Sequence, residues 1–257
     1  MNILVTGAGG FLGRHMTAAL KDMEGITVYE SFHQTKKEEV DSYLASCDFI
    51  YHLAGVNRSD NITDFTEGNV RLTEEIRNGL VRFHNPCPIL YASSIHAIVP
   101  SPYGKSKKAA EEVLRAYERN LKSKVYIYRL TNLFGSGAKP NYNSVVATFC
   151  YNIVRGLPIV IHDRNTILNL CCIEDVIKEF CRILKEEGFK GEDGYYGIPK
   201  VYQASLGMIA DTLYAFHKNE GRFEELPEFE RALYRTFLSY KEEWVKERRI
   251  YEDSANQ

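Results

Sequence analysis

The sequence predicts an α/β fold, a doubly wound parallel sheet followed by a smaller C-terminal lobe. Three observations predict it. Short apolar runs alternate with stretches of helical period over residues 1–135. The first run ends in a glycine-rich turn that opens a helix. Chemistry-bearing residues recur at the carboxyl ends of the runs, where open parallel sheets collect their ligands.

Each element follows from its pattern. Asn2–Thr6 is a short apolar run of the kind a fully buried strand shows. Gly7, Gly10 and Gly13 follow in Thr-Gly-Ala-Gly-Gly-Phe-Leu-Gly, and Leu12, Met16, Ala19 and Leu20 mark a helix over Phe11–Lys21. Strand, glycine turn and helix start form the context of a dinucleotide fingerprint. The glycines let the backbone close on a pyrophosphate, and the helix N-terminus faces its negative charge. The alternative is an ordinary tight strand–helix turn. Further strands are predicted at Thr27–Phe32, Asp48–Leu53, Ile89–Ala92 and Lys124–Leu130. Helices fall between them at Glu38–Ala45, Asp64–Phe83 and Tyr103–Asn120. Alternation of this kind means right-handed βαβ units, hence a Rossmann-type sheet with helices on both faces. Gly7, His52-Leu-Ala-Gly55, Ser94 and Thr131-Asn132 all lie at carboxyl ends.

After Gly135 the run Gly-Ser-Gly-Ala-Lys-Pro-Asn-Tyr-Asn breaks regular structure. A helix over Ser144–Arg155, a strand at Pro158–His162, a helix over Glu174–Glu187, a strand near Tyr195–Ile198 and a helix over Leu206–His217 are expected. Residues Pro227–Ser254 read as helical and highly charged. The expected organisation is a dinucleotide-binding core at 1–135, a small substrate-binding lobe intertwined with it at 136–240, and a charged helical tail at 241–257. No internal repeat or low-complexity tract interrupts it.

The bulk numbers narrow the class. The chain has 257 residues, 44% of them hydrophobic, enough for one large domain or a domain with a small lobe. A net charge of −2 leaves no electrostatic footprint for nucleic acid or an anionic membrane. No apolar run approaches the ~18 residues of a membrane span. A strand at the N-terminus predicts no signal peptide. Cys47, Cys87, Cys150, Cys171, Cys172 and Cys181 show no metal-ligand spacing. They read as reduced, mostly buried thiols of a cytoplasmic protein, and no metal is expected.

The most informative stretch is Ser101-Pro-Tyr103-Gly-Lys-Ser-Lys107, with Ser93-Ser94 upstream. A tyrosine and a lysine four apart share one helix face. A phenol titrates near pH 10, and a neighbouring ammonium lowers that value by stabilising the phenolate. Such a pair can exchange a proton with a carbonyl–alcohol couple. On its own it also fits a solvated surface pair. The glycine turn and Ser94 shift the balance towards chemistry.

Four landmarks, in order, are similar to those of the extended short-chain dehydrogenases/reductases that act on nucleotide sugars, the epimerase/dehydratase superfamily. They are the N-terminal Thr6-Gly-x-x-Gly-Phe-Leu-Gly13, Asp48-x-x-x-His-Leu-Ala-Gly55, Ser93-Ser94 before Tyr103-x-x-x-Lys107, and Arg129-Leu-Thr-Asn-Leu-Phe-Gly135. His52-Leu-Ala-Gly-Val-Asn-Arg58, Val125-Tyr-Ile-Tyr-Arg129, the segment Lys139–Cys150 and Leu233–Tyr240 resemble one subgroup closely. That subgroup is the reductase half of bacterial capsule and O-antigen UDP-2-acetamido-2,6-dideoxy-L-talose synthases. There a cupin domain that epimerises the sugar follows the reductase. Nothing cupin-like follows Tyr240 in this sequence, so a reductase-only or truncated form is expected, without epimerase activity of its own.

The resemblance implies roles. Tyr103 protonates the alkoxide at the sugar's C4, Lys107 binds the nicotinamide ribose and holds the tyrosine pKa down, and Ser94 hydrogen-bonds the carbonyl oxygen. Only nine positions separate Ser94 from Tyr103, so a tight connection and an open mouth are expected there. Related 4,6-dehydratases carry an Asp-Glu pair just after the hydroxyl residue, whereas this chain has Ile95 and His96. Isoleucine transfers no proton, so dehydration is disfavoured. His96 either contacts substrate or simply ends the strand.

Cofactor contacts are implied at Gly7, Gly10, Phe11, Leu12 and Gly13, at Leu53, Ala54 and Gly55, and at Asn69, Tyr103, Lys107 and Leu130. Asn69 could equally be a structural helix-face residue. An acid at the end of the second strand would favour NAD. Here the register puts Ser31 or Phe32 there, followed by His33, Lys36 and Lys37. NADP(H) is therefore expected, with His33 and Lys36 facing a 2′-phosphate, although Lys36-Lys37 also fits a solvated helix start. Substrate contacts are expected from Ser94, His96, Asn132 and Asn143. Arg164 either replaces a diphosphate-binding arginine that relatives carry where this chain has Leu168, or is an ordinary exposed charge.

The leading expectation is an NADPH-dependent reductase of a UDP-4-keto-6-deoxy-hexosamine. A nucleotide-sugar 4-epimerase holding NAD+ and a non-catalytic NADP-binding protein are the alternatives. The expected partners are a UDP-sugar, a second copy of the chain packed through the helices at Asp64–Phe83 and Tyr103–Asn120, and a separate cupin-type epimerase.

Overall fold

Five apolar runs too short and too continuous for helices form one parallel sheet, because only neighbouring strands can satisfy their buried backbone groups. The computed structural model describes residues 1–219 and 225–255. Its strands β1 (Asn2–Thr6), β2 (Thr27–Ser31), β3 (Phe49–His52), β4 (Ile89–Ser94) and β5 (Val125–Leu130) lie in the order β2-β1-β3-β4-β5, all parallel. The order reverses at β1, which places a ligand crevice outside the carboxyl ends of β1 and β3. Thr6 stands opposite Ser31 on one side and His52 on the other, and Ser94 stands opposite Leu130.

Helices α1 (Phe11–Lys21), α2 (Lys37–Ser46), α3 (Ile62–Phe65), α4 (Leu72–Arg82) and α5 (Pro102–Leu121) alternate with these strands. Leu44 and Cys47 from the α2 end, Ile76 and Leu80 of α4, and Ala110 and Leu114 of α5 pack on Leu4, Ile50, Ile89 and Ile127 of the sheet. α5 starts where its sequence says it should. Ser101 caps it by accepting from Gly104 N (3.0 Å), and Pro102 fills the first turn. Lys122 ends it in a left-handed conformation (φ 54°).

Residues Met1–Leu130 and Val176–Pro199 form one compact unit, and Thr131–Asp175 with Lys200–Gln257 the other. The sequence-based division at 135 and 240 thus differs from the folded one at Val176–Pro199. Side chains and backbone explain why this stretch joins the first unit. Tyr51 donates to Phe180 O (2.7 Å) and Tyr128 to Glu179 (2.7 Å). Tyr196 N donates to Ile127 O (2.8 Å), while Arg129 N donates to Tyr196 O (3.1 Å). Helix α7 (Ile173–Arg182) supplies Glu179 and Phe180.

The second unit holds a three-stranded sheet of β6 (Asn132–Phe134), β7 (Ile167–Cys172) and β8 (Tyr202–Ser205), with helices α6 (Val145–Val154), α8 (Leu206–Lys218) and α9 (Glu228–Ala255). β6 is parallel to β7, and β7 is antiparallel to β8. α9 runs without a break through 240, so no separate tail begins at 241. Its Tyr240 hydroxyl reaches Ala138 O. Further along, Arg155 Nη2 binds Glu247 (2.6 Å), and its guanidinium lies 3.7 Å from the Tyr151 ring centroid and 4.7 Å from that of Trp244.

Several expected elements differ. No strand forms at Pro158–His162. Leu157 N returns to Asn152 O (2.8 Å) and Asn152 Nδ2 takes Pro158 O (3.0 Å), while Pro158 has no N–H to donate. The strand is instead Ile167–Cys172, which finds partners on both sides. Near Tyr195–Ile198 only Tyr196 bridges, to Tyr128 and Lys190. Helix α7 stops at Arg182 rather than Glu187. The helix expected over Asp64–Phe83 begins earlier, at Ile62, and contains a π turn over Thr66–Arg71.

The six cysteines are free, five buried and Cys181 partly so. No described helix is long and apolar enough to cross a membrane. Among the described residues no group of His, Cys, Asp and Glu could hold a metal ion.

Arg155 packs through its stem as much as through its charge. Arg155→Ala is expected to destabilise the second unit by about 1–2 kcal/mol, since Glu247 is left solvated rather than buried. Urea unfolding followed by Trp244 fluorescence measures this.

Candidate active site

The crevice begins at the glycine turn. Gly7 has φ +68°, and a Cβ there would lie 2.7 Å from both Cα and N of Ala54. A Cβ on Gly13 would lie 2.0 Å from Gly7 O. The ends of β1 and β3 and the start of α1 therefore approach as closely as backbone allows, and only glycine fits. Ala8 N is used by Ser31 O (3.2 Å) and Gly10 N by Gly7 O (2.9 Å). The first amides of the 11-residue helix α1, from Phe11 onward, have no acceptor in their own helix. This is a cradle that an anion of pyrophosphate shape fits.

Behind the cradle runs a directional chain of hydrogen bonds. Ala54 N donates to Thr6 Oγ1 (3.3 Å), and Thr6 Oγ1 lies 2.8 Å from His52 Nδ1. His52 Nε2 lies 2.9 Å from Thr73 Oγ1, which donates to Asn69 O (2.6 Å). Because the Thr73 proton is committed to Asn69, its oxygen accepts from His52 Nε2–H. His52 Nδ1 then accepts from Thr6. His52 is fully buried, and that burial, with Lys107 nearby, pushes its pKa down to about 3. The ring is neutral at any working pH.

Asn69 sits in the π turn and is buried. Its Oδ1 accepts from Val56 N (2.9 Å), and its Nδ2 donates to Val56 O (2.9 Å) and Ser106 Oγ (2.9 Å). One side chain thus pins the loop after Gly55 to α5. The extra residue of the π turn aims it there, as such turns do at functional sites. A Cβ on Gly55 would lie 2.6 Å from Asn69 Oδ1 and 3.1 Å from Lys107 Nζ, so this loop, too, needs glycine.

The structure brings Ser94, Tyr103 and Lys107 together. Ser94 ends β4, and its Oγ accepts from His96 N (3.1 Å). The same side chain lies near enough to the Tyr103 phenol to lower its pKa. Phe65 and His96 flank the Tyr103 ring at centroid distances of 6.0 and 6.4 Å. Lys107 Nζ donates to Ala92 O (2.9 Å) and lies 4.8 Å from the centroid of the Tyr91 ring. Burial lowers its pKa to about 8. The expected depression of the Tyr103 pKa by Lys107 is not what the structure gives. Burial raises the phenol, and the nearby Ser94 side chain is what opposes the rise. The reason is that the ammonium is directed at Ala92 and Tyr91. The short link from Ser94 to Tyr103 is a 3₁₀ turn, Ile95–Ile98, with His96 exposed and Ile98 76% exposed.

At the end of β2 no carboxylate faces the crevice. Glu30 pairs with Lys21 at 2.5 Å, while Phe32 lies beside Gly9, where a Cβ would be 3.3 Å from its ring. His33, Lys36 and Lys37 follow on the surface. Leu53 and Ala54 are half-buried beside Gly7, Phe11 and Leu12 open α1, and Leu130 is buried opposite Ser94.

In the second unit Asn132 and Asn143 share a cavity of about 240 Å³. Leu133, Ser144, Val145, Leu168, Leu170 and Leu206 complete its walls. Asn132 Nδ2 donates weakly to Asn169 O (3.3 Å), and Ser144 caps α6. Arg164 does not line this cavity. Its Nη2 pairs with Asp211 (2.6 Å) on the surface and reaches Gly207 O (3.4 Å).

Sequence reasoning missed Thr6, His52, Thr73 and Ser106 as second partners of these groups. It named Ser93 and Arg129 only as landmarks and missed Glu111, which they meet beneath α5. Ser93 Oγ donates to Glu111 (2.6 Å), and Arg129 donates to Glu111 twice (3.0 and 2.7 Å). The available signal was spacing: Glu111 follows Lys107 by four, as Lys107 follows Tyr103.

A family model described as the NAD dependent epimerase/dehydratase family matches residues 3–197. The chain is 38% identical over 243 residues to a Pseudomonas aeruginosa UDP-2-acetamido-2,6-beta-L-arabino-hexul-4-ose reductase, covering 93% of this chain and 65% of that protein. It is 42% identical to the crystal structure of the capsular polysaccharide assembling protein CapF from Staphylococcus aureus, with a TM-score of 0.83, covering 93% of this chain and 66% of that one. The chain thus spans about two thirds of the length of both. A UDP-glucuronic acid 4-epimerase from Bacillus cereus, 17% identical over 94% of this chain and 99% of its own, shares the fold with a TM-score of 0.80.

A neutral buried His52 links stability to pH. Its folded pKa, about 3, lies below the unfolded value of about 6.5. The unfolded chain therefore binds the extra proton between the two, and the contribution of His52 is complete above pH ~6.5 and lost as pH falls towards ~3. Stability should drop by up to ~1.4 kcal/mol per pH unit from this group in that window. His52→Gln is expected to remove that part of the slope. Urea midpoints measured across the window for both proteins test it.

Proposed function

The chain belongs to the NAD dependent epimerase/dehydratase family, and on that premise we propose that it is an NADPH-dependent reductase of the C4 ketone of a UDP-4-keto-6-deoxy-hexosamine, acting in the supply of capsule or O-antigen precursors. The observation that carries the proposal is the meeting of Ser94, Tyr103 and Lys107 on β4 and α5, in a chain 38% identical to a UDP-2-acetamido-2,6-beta-L-arabino-hexul-4-ose reductase.

The glycine cradle and the free N-terminus of α1 fit the pyrophosphate of a nicotinamide dinucleotide. When bound, that group supplies the hydride. Leu53, Ala54, Gly55, Asn69 and Leu130 are the proposed further contacts. His33 and Lys36 are the proposed recognisers of a 2′-phosphate. By the register read from the sequence, Ser31 or Phe32, neither of them acidic, takes the place of an NAD-selective acid, and Phe32 lies against Gly9.

The protein's own groups then divide the work. Ser94 Oγ accepts from His96 N, so its proton is free to point at the ketone oxygen or at Tyr103. Tyr103, held protonated by burial, donates its proton to the oxygen as negative charge builds there. Lys107, buried and cationic below pH ~8, is the proposed cation that favours the phenolate left behind and would bind the ribose of the cofactor. Ile95 cannot act as an acid or base, which leaves elimination of water without a catalyst at that position. Asn132 and Asn143, with the apolar walls of their cavity, are the proposed contacts to the nucleotide part of the substrate. His96 is a proposed substrate contact, and Arg164, paired with Asp211, is a weaker one. A second copy of the chain and a separate cupin-type epimerase are the proposed partners, in the cytoplasm.

The test is oxidation of NADPH by the purified protein with a panel of UDP- and dTDP-4-keto-6-deoxy sugars. Turnover with a UDP-4-keto-6-deoxy-hexosamine is expected. No oxidation with any of them overturns the reading, and NAD+ retained through purification overturns it in favour of an epimerase. Tyr103→Phe should lower kcat by roughly 10²–10⁴-fold while the Kd for NADPH changes little. A paired change, His33→Ala with Lys36→Ala, should weaken NADPH binding about tenfold or more and leave NADH binding nearly unchanged, read by nucleotide fluorescence titration.

A further inference from the structure

Tyr103, Lys107 and Glu111 follow one another at intervals of four on α5 and so form a stripe along one face. Each member meets one of the last three residues of β4. Tyr103 lies beside Ser94, Lys107 donates to Ala92 O (2.9 Å), and Glu111 accepts from Ser93 Oγ (2.6 Å). Glu111 is fully buried. A buried carboxylate costs several kcal/mol unless it is paired with good geometry. Here Arg129, opposite Ser93 on β5, grips both its oxygens (3.0 and 2.7 Å), and the guanidinium lies 3.5 Å from the centroid of the Tyr195 ring. Arg129 cannot follow a sliding helix, because the ring and the strand hold it.

We propose that Glu111, clamped by Ser93 and Arg129, is a positioning residue that sets the height of α5 against β4 and thereby keeps Tyr103 and Lys107 level with Ser94. This rests on the reading of Tyr103 and Lys107 given above. Apolar side chains alone tolerate small slips of a helix along a sheet, whereas the hydrogen bonds of fixed length from Lys107 to Ala92 O and from Ser93 to Glu111 do not. Glu111 lies about 12 Å along the helix axis from Tyr103. It touches none of the reacting groups, and so acts through the helix.

Glu111 also has an electrostatic consequence that a purely structural brace would lack. Titratable groups face Lys107 from three elements: His52 from β3, Tyr91 from β4, and Tyr103 and Glu111 from α5. Among the charges around Lys107, the Glu111 carboxylate is the one that raises its pKa against the effect of burial. Removing the charge should leave Lys107 neutral at lower pH.

The experiment compares the parent protein with Glu111→Gln and with Glu111→Gln/Arg129→Gln, which leaves no uncompensated guanidinium and guards against simple unfolding. Binding of whichever of NADPH and NADH the parent takes is titrated by fluorescence from neutral to alkaline pH, and kcat and KM are measured with the accepted sugar. The alkaline limb of cofactor binding is expected to move to lower pH in both variants, by roughly half a unit or more. In the double variant thermal stability should return towards the parent while kcat stays down by about tenfold with KM for the sugar little changed. A binding limb that coincides with the parent's in both variants overturns the proposal, whether or not any sugar is turned over. So does a double variant whose kcat lies within about twofold of the parent's. A parent that binds nicotinamide nucleotide and reduces no sugar would sink the substrate reading alone, because the binding limb still reports on Glu111.

Discussion

The seam between α5 and β4 is the constraint on which the candidate site depends. A phenol, an ammonium and a carboxylate at successive turns of one helix meet three consecutive residues of one strand. None of these groups is worth much alone, since a hydrogen bond contributes about 1 kcal/mol net. Their value is specificity. Leaving any one buried and unpaired costs more than the bond provides, so the helix has one acceptable position. On the proposal made above, the pairing of Ser93 with Glu111 two turns away is what keeps Tyr103 level with Ser94.

A second constraint, the close approach of β1 and β3, shapes the cofactor side. Gly7 lets the two strand ends touch, and the contact is held from behind by the chain through Thr6, His52, Thr73 and Asn69. That chain reaches Ser106 on α5, next to Lys107. There the Ser106 hydroxyl donates to Tyr103 O (2.7 Å), so one linked set of buried polar groups braces the back of the glycine cradle and the first turns of α5 together. A neutral His52 is essential to it, because an imidazolium would need two acceptors where Thr6 offers its own proton.

Much of this was legible in the chain. Five strands and the helices between them follow from run length and period, and β1 and α1 have the bounds their patterns suggest. The placement of Ser94 at a strand end and of Tyr103 and Lys107 on one helix was readable because a helix period and a strand end are local properties. What failed did so for non-local reasons. Pro158–His162 has the look of a strand but no partner, whereas Ile167–Cys172, less strand-like with its central asparagine, lies between β6 and β8. Val176–Pro199 joins the first unit through Phe180, Glu179 and Tyr196, whose partners are 50 or more residues away.

By itself the sequence determined the alternation of the sheet, the glycine turn and the identity of the Tyr103–Lys107 pair, because backbone freedom and helical period are written in neighbouring residues. Only the tertiary structure decided that Lys107 is turned to Ala92 and not to Tyr103, that Glu30 is spent on Lys21, that Arg164 pairs with Asp211, and that Glu111 lies dry beneath the helix. The physical reason is common to all four. A charged side chain's role is set by which partner it finds and how much water surrounds it, and both depend on segments far away in the chain.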